Sequence, residues 1–301
     1  MGKSVPCSVP KTGSKKSFYE IIEPYLFLLP TLTVFAVFLY YPFARTIYLS
    51  TYLTDSLGLP KKFVGTMNYT RFLFGDKGFW VSLGVTFRFV ALVAFGGLLI
   101  GLITSLLTYN SYRTSGFCAA VYAMPVAIAS AAASMAFKMI LHPTNGLLNN
   151  LLGTQINWTG NPSYALGSVV AMTVWLQSGI NFIFISAGLR GIPAEQYESA
   201  SIDGANYWQK FRHITVPGLS PTLFFQIIIN IINAFQSFSQ VRLLTEGGPS
   251  NKTAVIVFEI WKDAFRNQRF GTAAARSVVL FVIILIITLI QFSFEKRSVT
   301  Y

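Results

Sequence analysis

Six apolar runs alternate with polar segments along the chain. A helix needs about 20 mostly apolar residues to cross the hydrocarbon core of a bilayer. The runs Tyr25–Leu49, Val81–Leu107, Phe117–Leu141, Tyr164–Leu189, Leu219–Gln240 and Thr272–Phe294 meet that length. The last, with VVLFVIILIITLI at its centre, is the cleanest. The first contains Pro30 and Pro42, which are tolerable near the ends of a span, where neighbours re-satisfy the backbone. It is too long for a signal peptide and no small-residue cleavage site follows, so it reads as a retained anchor. The pattern predicts an all-α integral membrane protein with six transmembrane helices. A tail over residues 1–24 precedes a membrane domain over residues 25–301, and both ends lie on the same side.

Polar residues inside the runs fall on faces. In the fifth run Gln226, Asn230, Asn233, Ser237 and Gln240 recur at steps of four and three, which is one face of a continuous helix. In the fourth, Thr173, Gln177 and Asn181 recur every four residues. Between the last two runs, Val257, Ile260, Trp261, Ala264 and Phe265 lie on one side of a helix expected over Thr253–Phe270. Glu259, Lys262, Asp263 and Arg266 lie on the other.

Composition supports the membrane class. Only 11% of the 301 residues are charged and 53% are apolar, a ratio that excludes a soluble cytosolic enzyme. The net charge of +12 would suit nucleic acid or an anionic lipid surface, and nothing here resembles a nucleic-acid module. Basic residues do not orient the spans. The tail, second turn, fourth loop and C-terminus carry ten (Lys3, Lys11, Lys15, Lys16, Arg113, Arg190, Lys210, Arg212, Lys296, Arg297). The opposite loops carry nine (Lys61, Lys62, Arg71, Lys77, Arg242, Lys252, Lys262, Arg266, Arg269), so the positive-inside rule does not decide. Arg45, Arg88, Lys138 and Arg276 lie in or at the edges of spans. Cys7 and Cys118 make neither a disulfide framework nor a metal site, and His142 and His213 have no ligand pattern around them. No Walker loop, nucleophile elbow or zinc-protease helix occurs. If ATP drives this protein, another chain binds it.

The loop Arg190–Gly218 is the most informative segment. It reads as a short helix from about Pro193, with Glu195 and Glu198 near the positive end of its dipole. Gly204 breaks it, Tyr207–Arg212 forms a second helix, and Pro217 redirects the chain into the fifth span. Glu198, Ala200, Asp203, Gly204 and Ala205 fall in the pattern E-x-A-x-x-D-G-A-x8-I-x-V-P, which ends at Pro217. The spacing resembles the EAA loop of permease subunits of binding-protein-dependent ABC importers, with Ser199 and Val216 in place of the usual Ala and Leu. Leu244-Thr245-Glu246-Gly247-Gly248-Pro249 is similar to the L-T-x-G-G-P stretch of the carbohydrate-uptake branch. The resemblance covers the whole chain in layout.

It implies a cytoplasmic loop over residues 190–218 that docks into a cleft of an ATPase subunit. Glu198 would pair with a basic group there, and Gly204 would permit the turn. It also implies a multi-pass protein of a prokaryotic cell membrane, with both termini cytoplasmic. Expected partners are a second homologous permease, two ATPase subunits, an extracytoplasmic solute-binding protein and the lipid bilayer, with no nucleic acid. This chain would carry no cofactor, metal or catalytic residue, because ATP and magnesium would sit on the ATPase. The expected solute is a sugar or oligosaccharide, or else a glycerol-phosphate-like compound. Thr173, Gln177, Asn181, Asn230, Asn233, Ser237 and Gln240 are candidates for the solute pathway, since neutral amides and hydroxyls suit a sugar. Hydrogen bonding to a partner helix is the other reading of the same stripe. Trp175, Phe235 and Phe238 could stack on a sugar ring. Arg88 and Lys138 each invite an anionic solute, against the commoner fate of snorkelling or pairing. The helix over Thr253–Phe270 would lie on the outer face of the bundle, docking the binding protein or simply resting at the interface. A stand-alone secondary transporter would need an acid deep in a span, and a membrane enzyme would need a nucleophile–base or metal constellation. Neither is present in the sequence.

Overall fold

The computed structural model describes residues 18–109 and 115–298, which are mostly helical. Most of the tail assigned to residues 1–24, with Cys7, Lys3, Lys11, Lys15 and Lys16, lies outside the described residues, as does Arg113. The chain divides into two compact units, Met1–Tyr48 and Leu49–Tyr301.

The first unit holds α1 (Phe18–Phe35), a π turn (Ala36–Tyr40) and most of α2 (Tyr41–Ser50). The π turn comes just before Pro42, whose missing N–H and bulky ring disturb the preceding i→i−4 ladder. Thr33 and Thr46 turn their hydroxyls back onto the carbonyls of Leu29 and Pro42, so neither polar group faces lipid unpaired.

In the second unit a two-stranded antiparallel ribbon, β1 (Tyr52–Thr54) and β2 (Pro60–Phe63), leads into α3 (Met67–Gly75). The Leu59 and Leu57 backbone N–H groups and Lys61 gather round Asp55 in the ribbon's loop, and the Leu59 bond leads in holding its carboxyl below the ordinary range. The long helix α4 (Lys77–Tyr109) follows, then α5 (Ser115–Ala123), α6 (Ser130–Ile140), α7 (Leu147–Leu152) and α8 (Ala165–Arg190). Next come α9 (Ala194–Ile202), α10 (Tyr207–Lys210), α11 (Val216–Phe235), α12 (Ser239–Leu244), α13 (Ile256–Trp261) and α14 (Phe270–Ser298). Among the described residues, five helices are long and apolar enough to cross a membrane (Tyr25–Ser50, Lys77–Tyr109, Ala165–Arg190, Tyr207–Phe235 and Phe270–Phe294), or six if the bent pair Gly116–Ala127 and Ser130–Ile140 makes one span.

Three expectations need correction. The run Phe117–Leu141 is not one helix, because its two halves meet at 104°. Pro125 tightens the end of α5 into a 3-10 turn, and extended Ile128 and Ala129 then redirect the chain. The fifth run ends at Phe235, not Gln240, so Ser237 and Gln240 leave the helical face that carries Gln226 and Asn230. Pro217 does not redirect the chain at the start of that run. The helix passes from α10 through a π turn (Phe211–Thr215) into α11, and Pro217 follows that turn as Pro42 follows the earlier one, the widened ladder accommodating its ring and missing N–H.

The core of this unit is the packing of α4 against α8 and α11, with Phe89, Val93, Val169, Met172 and Phe235 fully buried. The seam between α4 and α8 is close. A Cβ on Gly101 would overlap that of Asn181 and lie 3.1 Å from the Asn181 carbonyl carbon. Ser105 reinforces the seam by donating to the Phe182 carbonyl, 3.1 Å away. At the other side of the loop region, Asn149 ties the turn before α8 together. Its amide donates to the carbonyls of Pro143 and Ile156 and accepts from the Trp158 indole N–H, all at 2.8–2.9 Å.

Gly101→Ala is expected to destabilise the protein by about 1–3 kcal/mol, the usual cost of overpacking. Gly84→Ala, where an added Cβ meets nothing within 4 Å, should be neutral or stabilising. Titration with SDS of the purified variants reads the difference.

Candidate functional site

The loop between α8 and α11 is built from local rules. Pro193 caps α9 with Glu195 in the first turn. The helix ends in a Schellman motif: Ala205 N–H donates to the Ala200 carbonyl at 2.8 Å, and Gly204 N–H to that of Ser201 at 3.2 Å. Gly204 takes the left-handed conformation, φ +75°, that this motif demands. Asn206 then starts α10 through a capping box. Its side chain accepts from Gln209 N–H at 2.9 Å while the Gln209 side chain accepts from Asn206 N–H at 2.8 Å. Lys210 reaches back to Ser201 Oγ at 2.6 Å, and Tyr197 OH shares a hydrogen bond of 3.0 Å with Thr215 Oγ1. Burial pushes the Tyr197 phenol above its ordinary value, with the Thr215 bond opposing. The two short helices are thus pinned to each other and to the start of α11.

This scaffold displays Glu198, Asp203 and Gly204 to the exterior, while Ala200 and Ala205 are half-buried. Glu198 lines a hollow of about 360 Å³ with Tyr197, Tyr207 and Lys210. Ala200, Asp203, Gly204 and Ala205 line an adjoining one of about 330 Å³ with His213. Sequence reasoning passed over Ile202, Tyr207 and Trp208, which stand out from the same surface at 87%, 65% and 63% exposure. Large apolar side chains inside an otherwise polar loop were the available signal.

The in-span polar candidates divide. Thr173, Gln177, Asn181 and Asn230 are buried inside the second unit. Asn181 and Asn230 exchange both amide bonds, at 3.1 and 2.9 Å, and join α8 to α11 directly. Asn181 also donates to the Gln177 carbonyl, and Thr173 to that of Val169. The Gln177 and Gln226 amide oxygens are buried without a partner among the described residues. Asn233 is exposed, Ser237 is buried beyond the helix end, and Gln240 is half-buried on α12. Of the aromatic candidates, Phe235 is core, while Trp175 and Phe238 are half-buried.

The opposite end of this unit is organised by Arg276, placed beforehand only at the edge of a span. It is 6% exposed and binds Asp76 at 2.8 Å, Asp263 at 2.9 Å and Glu259 at 3.7 Å. The helix expected over Thr253–Phe270 is corrected accordingly. Only α13 is regular, a π turn (Lys262–Arg266) follows, and Asp263 turns inward to Arg276 while Phe265 is 67% exposed. An ion pair with a buried cation overrides the amphipathic pattern. Ser82 and Thr86 of α4 bind Ala254 and Ile256 at 3.0 and 2.9 Å, fixing this segment to the bundle.

Comparison with known proteins gives a consistent result. Residues 11–299 match the family described as binding-protein-dependent transport system inner membrane component. The chain is 35% identical over 290 residues to the sn-glycerol-3-phosphate transport system permease protein UgpA of Agrobacterium fabrum, covering 94% of this chain and 98% of that one. It is 33% identical over 294 residues to the protein of the same description in Yersinia enterocolitica, covering 96% and 99%. In fold it is similar to a chain of a crystallised bacterial ABC transporter for import of the acidic polysaccharide alginate. The TM-score is 0.81 at 23% identity, covering 95% of this chain and 100% of that one.

Two outcomes follow from the geometry. Asn206→Ala removes the cap of α10 at a cost of about 1 kcal/mol, so hydrogen exchange of the amides around Gln209 should quicken about fivefold. Asn230→Leu strands the buried Asn181 side-chain amide oxygen and should cost about 1–3 kcal/mol, whereas Asn181→Leu with Asn230→Leu should cost less than the sum of the two single Leu changes. Unfolding of the four members of that cycle measures it.

Proposed function

This chain belongs to the family of binding-protein-dependent transport system inner membrane components, a multi-pass permease of an ABC importer, and on that premise we propose how it is coupled and what it carries. The loop over residues 190–218 is the cytoplasmic coupling element, which seats Glu198, Ala200, Asp203, Gly204 and Ala205 in a cleft of an ATPase subunit. The observation that carries this reading is its surface: two acids beside exposed Ile202, Tyr207 and Trp208, on a scaffold that runs unbroken into the helix Tyr207–Phe235. Apolar side chains left out among charges suit a partner's groove. Six crossings, the third made by the bent pair α5 and α6, put both termini on the cytoplasmic side.

ATP and magnesium act on two partner ATPase subunits, and this chain performs no covalent chemistry. Closure of the ATPases moves α9 and α10. Because α10 continues into α11, the displacement is delivered at the other end of that helix, near Asn233, Ser237 and Gln240. There the solute passes between this permease and a second, homologous one, beneath an extracytoplasmic binding protein. Asn181 and Asn230 hold α8 to α11 as they move, with Thr173 and Gln177 buried on the same face of α8. The solute is a carbohydrate in the broad sense that includes a phosphorylated polyol. That range is supported by relatives named for glycerol 3-phosphate and by a structural neighbour named for alginate.

Replacing Glu198 with Lys and Gly204 with Trp together should lower ATP-driven uptake in proteoliposomes by at least about tenfold, equivalent to 1.4 kcal/mol of lost coupling. The permease pair should still assemble. Wild-type uptake by that variant would overturn the assignment of the loop.

A further inference from the structure

Two cavities lie at the Arg276 end of the second unit, and their charges are arranged differently. The larger, about 710 Å³, sets four cations (Arg71, Lys262, Arg269, Arg276) against three carboxylates (Asp76, Glu259, Asp263), and Arg276 and Lys262 are already bound to those acids. The second, about 400 Å³, is lined by Lys138 of α6, Arg242 and Glu246 of the α12 segment, and Trp261 and Arg266 of the α13 segment. Among the described residues, none of Lys138, Arg242 and Arg266 has a carboxylate within 4.0 Å. We infer that this second cavity is an anion subsite, which takes the phosphate or carboxylate group of a small polyol or sugar.

Arg242 is the centre of the argument. Its guanidinium lies 3.7 Å from the centroid of the Trp261 ring and 6.0 Å from that of Phe238. Phe238 and Phe258 brace the indole, with centroids 5.7 and 5.9 Å from it. Stacking on an aromatic face orients a guanidinium without neutralising it. The Arg242 Nη1 is buried and has no hydrogen-bond partner among the described residues. A buried donor of that kind costs free energy until an acceptor arrives. A tetrahedral phosphate or planar carboxylate meets the guanidinium with paired, charge-assisted bonds, and Lys138 and Arg266 add charge from two other elements. The volume suits a phosphorylated triol or a single sugar unit, near the lower end of ligand pockets at roughly 300–1,000 Å³.

Among the described residues Glu246 is the one acid lining the cavity, and it stands in the left-handed region at φ +51° inside Leu244–Pro249. A carboxylate there opposes an incoming anion, and the three cations Lys138, Arg242 and Arg266 outnumber it. The inference deepens the proposed transport of a carbohydrate or phosphorylated polyol and rests on that reading for its biological meaning.

The test is binding to the assembled importer in nanodiscs without ATP. Line broadening is recorded for glycerol 3-phosphate by 31P NMR and for glucuronate and uncharged glycerol by 13C NMR. The wild type should broaden at least one of the two anions and leave glycerol sharp. Affinity for that anion should fall at least about tenfold in Lys138→Gln with Arg242→Gln and Arg266→Gln, the loss expected for charged hydrogen bonds. It should also fall in Arg242→Lys, which keeps the charge but loses the stacked, paired geometry, and should rise in Glu246→Gln, a gain that misfolding cannot produce. Broadening of phosphate alone or carboxylate alone assigns the group and upholds the site. Equal broadening in wild type and triple variant, no broadening of either anion, or no gain in Glu246→Gln overturns it. No ATP is used, so failure here leaves the coupling assignment standing, and failure of ATP-driven uptake in the loop variant leaves this site standing.

Discussion

The close approach of α4 to α8 at Gly101 and Asn181 sets the geometry of everything beyond it. Lipid tails are as apolar as leucine, so helices within a bilayer gain little by hiding apolar side chains from them. Association must come from contact density and from polar groups satisfied between helices. Here a glycine brings the two backbones together, and the same Asn181 that fills the gap turns its amide to Asn230 on α11. One residue therefore fixes three helices in rotation and in height. Because the polar side chains point into this seam, Phe87, Leu92 and Phe95 of α4 are free to face outward.

From the seam, stiffness runs to both ends of the second unit by different means. Toward the loop it is carried by backbone devices: the Schellman turn at Gly204, the capping box at Asn206 and the Tyr197–Thr215 bond. Each is local, and together they make two short helices behave as an extension of α11. Toward the opposite end it is carried by charge, with Arg276 joining the junction of α3 and α4 to α13 and α14. A buried arginine is expensive to desolvate and is tolerated because three carboxylates share it. The loop end presents side chains outward, and the Arg276 end ties them inward.

How much of this was legible in sequence depended on range. The spans at residues 77–109, 165–190 and 270–298 were found to within a few residues, since long apolar runs carry their own signal. The end of α9 was legible because Gly204 is a local stop. The stripe through Gln240 misled, because a polar period of four and three can continue past the helix that it describes. The three residues after Phe235 are not helical, α12 begins anew at Ser239, and Ser237 donates to the Asn233 carbonyl at 3.1 Å. The bend after Pro125 was written in the sequence but was hidden by the apolar run around it. Least legible was the Arg276 group, whose partners lie 200, 17 and 13 positions away. No periodicity reports a pairing across separate elements, and the outward face assigned to Asp263 was wrong for that reason.

The net charge of +12 also takes on a different meaning once partners are known. An unpaired surface lysine is cheap in water and says little. The informative cations are those drawn toward the protein interior, where each must find an acceptor or hold a cost. Arg276 has found its acceptors within the chain, so it is part of the frame. Arg242 is held as firmly, by rings that supply no negative charge, and its buried Nη1 remains without an acceptor among the described residues. Two arginines at one end of the same unit thus divide the work: one is saturated and rigidifies, and the other is oriented and left open. An open, oriented cation beside a wall of aromatics is what a transported anion needs, because it can bind there without first breaking a bond the protein depends on.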